Sequence, residues 1–256
     1  LLLSEKVLSA AAMLLKVVQY AAWTLSSVLL LGAAAQLWRG SHLARLPIFF
    51  VYLVLVGFHG LLNLLLSFTN PLWWFYSFYV GNVITTLLGF VVLYEVADSA
   101  VSGPSLKIDR STFMALCAVG AFVAVAVTAF IQVEGHSFLR VRILLEVALR
   151  AVQVTILAIF AILSFVFGLF WRRVEFGVVL GYGLYATSQL AVMYLRASGS
   201  AVSEKVFAVV PMLSFCASAL VWLVYSSMAE PAFRTDSEPL LVKVQRSHAA
   251  IERLGR

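Results

Sequence analysis

The chain has 256 residues, of which 62% are hydrophobic and only 12% charged, and its mean hydropathy is +0.99. So few charges cannot coat a water-soluble domain of this size, which excludes the soluble enzyme and binding-module classes and leaves an integral membrane protein. The net charge of +6 does not indicate nucleic acid, because no basic groove interleaved with aromatic residues accompanies it. It fits Lys and Arg holding loops against anionic lipid.

About 20 apolar residues cross the hydrocarbon as a helix, and the apolar runs predict seven crossings at 14–38, 46–68, 75–97, 112–133, 143–170, 176–197 and 206–228. Residues 7–38 are too long for the core of a cleavable signal and read as a retained helix. Breakers sit between the runs: Asn70-Pro71, Ser102-Gly103-Pro104 and Ser198-Gly199-Ser200. The runs are apolar all round rather than alternating, which excludes a transmembrane barrel. The expected fold is therefore an all-α membrane protein, a seven-transmembrane-helix bundle over residues 1–228, in the cell membrane (a bacterial inner membrane).

Orientation follows from the basic residues. Arg39, Arg45, Lys107, Arg110, Arg172 and Arg173, with Arg234, Lys243, Arg246, Arg253 and Arg256 after the last span, make eleven on one side. Lys6, Lys16, Arg140, Arg142, Arg196 and Lys205 make six on the other. The excess places the N-terminus outside and the C-terminus inside. Residues 229–256 form a cytoplasmic amphipathic tail. Ser237-Glu238-Pro239 can start a helix there, and Leu240, Val244, Ile251 and Leu254 fall near one face. Such a helix rests on the lipid surface or, over 237–256, contacts a protein partner.

A repeat is also legible. Helices two and six align at an offset of 126, pairing Phe50 with Phe176, Gly57 with Gly183, His59 with Tyr185, Asn63 with Gln189 and Leu64 with Leu190. Trp38-Arg39 and Trp171-Arg172 close the preceding helices in the same way. The chain then reads as a 3+1+3 parallel repeat, an arrangement similar to that of SWEET-type transporters, whose sites lie near the repeat interface.

Ionisable and amide side chains within spans are costly and mark sites or interhelical contacts. Glu146, Arg150 and Gln153 share one face of helix five at i, i+4 and i+7, and the first two are spaced for an ion pair. His59 and Asn63 are a turn apart on helix two, Asn82 lies on helix three, and Tyr185 and Gln189 lie on helix six. With alternating span direction, Gln19 of helix one, Asn63, Asn82, Glu146, Arg150 and Gln189 all fall in the outer half of the bilayer. Glu146, Arg150, Gln153, His59, Asn63, Asn82, Tyr185 and Gln189 are the candidate ligand-binding residues of a pocket open to the outside, with Arg150 facing an anionic or carbonyl-bearing small ligand. The competing reading makes them interhelical hydrogen bonds.

His59 is the only histidine within a span, which rules against bis-histidine haem and leaves a single-ligand haem open; no cofactor and no metal site is expected. Cys117 and Cys216 read as unpaired buried residues. Glu95 beside Asp98 reads as a snorkelling acid or a partner for a loop Arg. Gly57/Gly60 and Gly177/Gly181/Gly183 offer smooth faces for helix contacts, within the bundle or with a protein partner.

No lysine occupies the middle of helix seven, so retinal chemistry is excluded, and the signatures of common G-protein-coupled receptors and of PQ-loop transporters are missing. The segments LPIFFVYL, LGFVVLYEV and FGVVLGYGLYA give the chain a style that resembles uncharacterised bacterial seven-helix integral membrane proteins, a resemblance that implies the fold and no activity. No catalytic constellation is present, so the chain is not read as an enzyme. Three functions stay open: receptor-like small-ligand binding, an accessory subunit of a membrane complex, and small-solute transport.

Overall fold

A computed structural model describes residues 2–40, 43–101, 110–128, 137–167, 173–197 and 204–228. Among them lie seven helices and no strand: α1 (Leu2–Arg39), α2 (Pro47–Thr69), α3 (Pro71–Val101), α4 (Arg110–Thr128), α5 (Ser137–Phe167), α6 (Arg173–Ala197) and α7 (Glu204–Ser227). Six are long and apolar enough to cross a membrane: Val17–Arg39, Pro47–Thr69, Pro71–Ser99, Leu144–Leu163, Arg173–Leu195 and Val209–Ser227. The apolar part of α4, Met114–Thr128, is shorter. The tail lies outside the described residues.

Helix boundaries have local causes. Leu46, the residue before α2, provides no side-chain cap, and Pro47 opens the helix. The missing cap comes from α3 instead, where the Glu95 carboxylate accepts the N–H groups of Ile48 and Phe49, both at 2.8 Å. Glu95 thus neither snorkels to the surface nor only offsets a loop Arg; it closes a helix N-terminus, where donors and dipole both favour an anion. At the other end of α2, a single residue, Asn70, turns the chain into α3. Its side-chain oxygen accepts from Leu72 N at 3.2 Å and Trp73 N at 3.3 Å, and Pro71 fills the first helical position, so α3 starts four residues before the sequence-based boundary.

The helices form a ring closed by α1 against α7. Neighbours in sequence pack together from α1 to α3 and from α5 to α7, α3 meets α5 and α6 only thinly, and α4 packs along α5. The buried cluster is confined to one half of the ring: Leu30 and Leu37 of α1, Phe49 and Leu53 of α2, Val92 and Val96 of α3, Val178 of α6 and Trp222 of α7 are all essentially inaccessible. This is the half that carries Arg39, Arg45 and Arg173. The glycine faces are used here and beside it. A Cβ on Gly57 or Gly60 would press on Leu31 or Ser27 of α1, and one on Gly177 or Gly181 would overlap Tyr225 or Trp222 of α7. These faces are therefore taken up within the bundle rather than left for a partner; only Gly183 has open space where a side chain would go.

The outside of the ring is apolar, with Phe165 90% and Phe122 75% exposed. Such a surface is insoluble in water and ordinary in lipid, where close packing rather than apolar burial holds helices together. Trp38 and Trp73 are exposed near opposite ends of the bundle, as interfacial residues should be. Trp74 is not such a residue, since it turns inward against Trp23 and Phe78.

Candidate functional site

Bordering the buried cluster, on the side away from Arg39 and Arg45, lies a partly open cavity of about 130 Å³, lined from α1, α2, α3, α5, α6 and α7. Six of the eight sequence-derived candidates form its wall: His59, Asn63, Asn82, Arg150, Gln153 and Tyr185. Helical spacing explains why. Tyr52, Val56, His59 and Asn63 fall at i, i+4, i+7 and i+11 along one face of α2, and Tyr182 precedes Tyr185 by one turn on α6.

Glu146 and Gln189 are not part of the wall. Glu146 lies a turn beyond Arg150 toward the start of α5, and next to it Val147 is packed with Leu190 and Met193. Gln189, a turn past Tyr185, is buried. The ion pair allowed by the Glu146–Arg150 spacing does not form: Arg150 Nη1 donates to Gln153 Oε1 at 2.8 Å, and the guanidinium lies 5.1 Å from the centroid of the Tyr185 ring. Among the described residues no carboxylate pairs with Arg150. A side-chain amide and a ring face suit a guanidinium geometrically, yet neither cancels its charge.

The hydrogen bonds around His59 leave a polar atom over. Its Nε2 lies 3.0 Å from the Ser77 carbonyl oxygen and 2.9 Å from Asn63 Nδ2. A carbonyl only accepts, so Nε2 carries the proton when it bonds Ser77, and it then cannot also accept from Asn63. Asn63, 5% exposed, accordingly keeps one end of its amide without a partner; as oriented here that end is Oδ1. The Tyr182 hydroxyl is likewise buried without a hydrogen bond of good geometry among the described residues. Buried polar groups are nearly always paired; the Tyr182 hydroxyl has that of Tyr52 within reach, whereas the free end of the Asn63 amide has no partner and the Arg150 charge no counter-charge among the described residues.

Other polar side chains near the cavity are satisfied by their own helices. Ser26 donates to the Trp23 carbonyl at 3.0 Å, and Thr85 to the Asn82 carbonyl at 3.1 Å. Ser188 turns back on the Leu184 carbonyl at 2.7 Å. These hydroxyls cost little in lipid and mark no site.

The floor of the cavity is built from residues outside the sequence-derived candidates. Tyr52, Tyr182, Phe49 and Trp222 pack together, mostly edge-on or tilted, with ring centroids 5.1–6.4 Å apart, and the Trp222 indole N–H donates to the Val178 carbonyl at 3.2 Å. This aromatic cluster separates the cavity from the end that bears Arg39 and Arg45. The register of Tyr52 with His59 was the available signal. No four-residue pattern could announce Trp222, whose partners come from other helices.

Cys117 and Cys216 are free thiols, and no cluster of three or more metal-ligating side chains occurs among the described residues. Set against models of protein families, curated proteins and solved structures, the chain matches none.

Proposed function

We propose that this is a receptor-like membrane protein that binds a small ligand inside its helical bundle. The observation that carries the reading is Arg150, a guanidinium in a membrane span that faces a cavity with an aromatic floor, with no carboxylate to balance it among the described residues. Charges in spans are retained where they serve a ligand, an ion path or a partner. The aromatic floor argues against an open through-path, and so against a channel. In this reading the chain crosses the cell membrane seven times, α4 included, with its N-terminus outside, its 3+1+3 triplets flanking the cavity and its tail inside.

The test is a small-molecule panel against the purified wild-type protein in mild detergent, read as a rise in unfolding temperature, with Arg150→Ala alongside. Hits lost in Arg150→Ala, in a variant that remains folded and monodisperse, are the expected result. A stoichiometric protein that co-purifies, with no hit in the panel, would replace this reading with that of a complex subunit. The attachment of α4 along α5 favours that second reading, because it leaves the other side of α4 exposed, Phe122 and Val119 included.

A further inference from the structure

We infer that the cavity takes a short-chain monocarboxylate of about three or four carbons. This rests on the reading of the cavity as a ligand site and names the chemistry of its occupant.

Charge comes first. The wall includes one permanently charged group, Arg150, and no Asp or Glu. A single negative charge therefore balances the site. A dianion would leave one charge unpaired, a neutral ligand would leave Arg150 unpaired, and a cation would be repelled.

Hydrogen bonding narrows the anion. A carboxylate has two oxygens with about four acceptor positions, and a guanidinium presents a planar fork that fits them. The Tyr182 hydroxyl has no partner of good geometry, and one end of the Asn63 amide has none. The Asn82 amide, also in the wall, makes no side-chain hydrogen bond among the described residues. Each can donate to a carboxylate oxygen, the Asn63 amide by turning its NH₂ inward. A halide would use fewer of these donors.

Size then sets the body. A cavity of about 150 Å³ holds a molecule of benzene size, so the 130 Å³ here admits about six non-hydrogen atoms. Removing the carboxylate from that allowance leaves an alkyl stub of two or three carbons. Trp23, Phe78 and Phe215 supply the apolar wall against which such a stub packs.

The experiment measures unfolding temperature of the wild-type protein in a gluconate buffer, whose anion exceeds the cavity. Sodium butyrate is titrated against butyramide, succinate and benzoate. Butyrate should stabilise in a saturable manner, with the other three roughly tenfold or more weaker, and Arg150→Gln should remove the butyrate effect. Butyramide matching butyrate would overturn the charge assignment, and benzoate matching it would overturn the size limit, while the ligand site itself stood. Silence of all four probes together with hits of other chemistry in the wider panel would overturn the carboxylate alone; silence of the panel as well would remove the ligand site. If Arg150→Gln fails to fold, the wild-type comparison of butyrate with butyramide still decides.

Discussion

Glu95, on α3, accepts the backbone N–H of Phe49, on α2, at 2.8 Å. Its second oxygen takes the N–H of Ile48 at the same distance. One carboxylate therefore satisfies two of the first donors of a neighbouring helix. Glu95→Ala should destabilise the bundle by about 1–3 kcal/mol, since it strands both donors where water is scarce. Glu95→Gln keeps one acceptor and should lose less. Unfolding temperatures in detergent check this, and equal losses for Ala and Gln would show that charge rather than hydrogen bonding is at stake.

A Cβ at Gly81 would overlap the His59 ring. Gly81→Ala should therefore push His59 off the Ser77 carbonyl and cost about 1–3 kcal/mol, as overpacking does. In the His59→Ala background the same change should cost far less. A double-mutant cycle measures that coupling, and additive losses would refute the contact.

Tyr182 offers a prediction of opposite sign. Its hydroxyl is buried without a well-formed hydrogen bond, so Tyr182→Phe should stabilise the ligand-free protein, by up to about 1 kcal/mol. The same variant should bind the ligand more weakly. A fall in the ligand-free unfolding temperature would mean that the hydroxyl already has a partner.

Orientation is open to chemical labelling. With Cys117 and Cys216 replaced by Ala, a membrane-impermeant maleimide should label Leu72→Cys in intact cells, because Leu72 is 63% exposed beside the α2–α3 turn. Ala44→Cys, exposed at the opposite end, should label only after permeabilisation. The reverse pattern would invert the topology.

The helices and most of the cavity wall were legible in the sequence for one reason. Apolar runs give helices in lipid, and i+4 and i+7 spacing puts His59, Asn63, Arg150 and Gln153 on inward faces whatever the neighbours are. The same periodicity cannot tell how deep along a face the cavity extends, and so spacing alone groups Glu146 and Gln189 with it. Contacts between distant segments were also hidden. That Glu95 caps α2 depends on a contact between residues 46 apart in sequence, and that Trp222 floors the cavity depends on Gly181 leaving space for its indole. A segment that is apolar on every side gives no hint of which side meets a protein neighbour and which meets lipid.

The one-residue turn at Asn70 and the Glu95 clamp sit at opposite ends of the same helix pair. A pair fastened at both ends moves as one plank, so its seam does not serve as a door. Traffic between the cavity and its surroundings is left to the joins that α3 makes with α5 and α6, the thinnest in the ring. The residence time of any occupant is then a property of those joins, and substitutions there should alter rates of entry and exit together while leaving the equilibrium affinity in place.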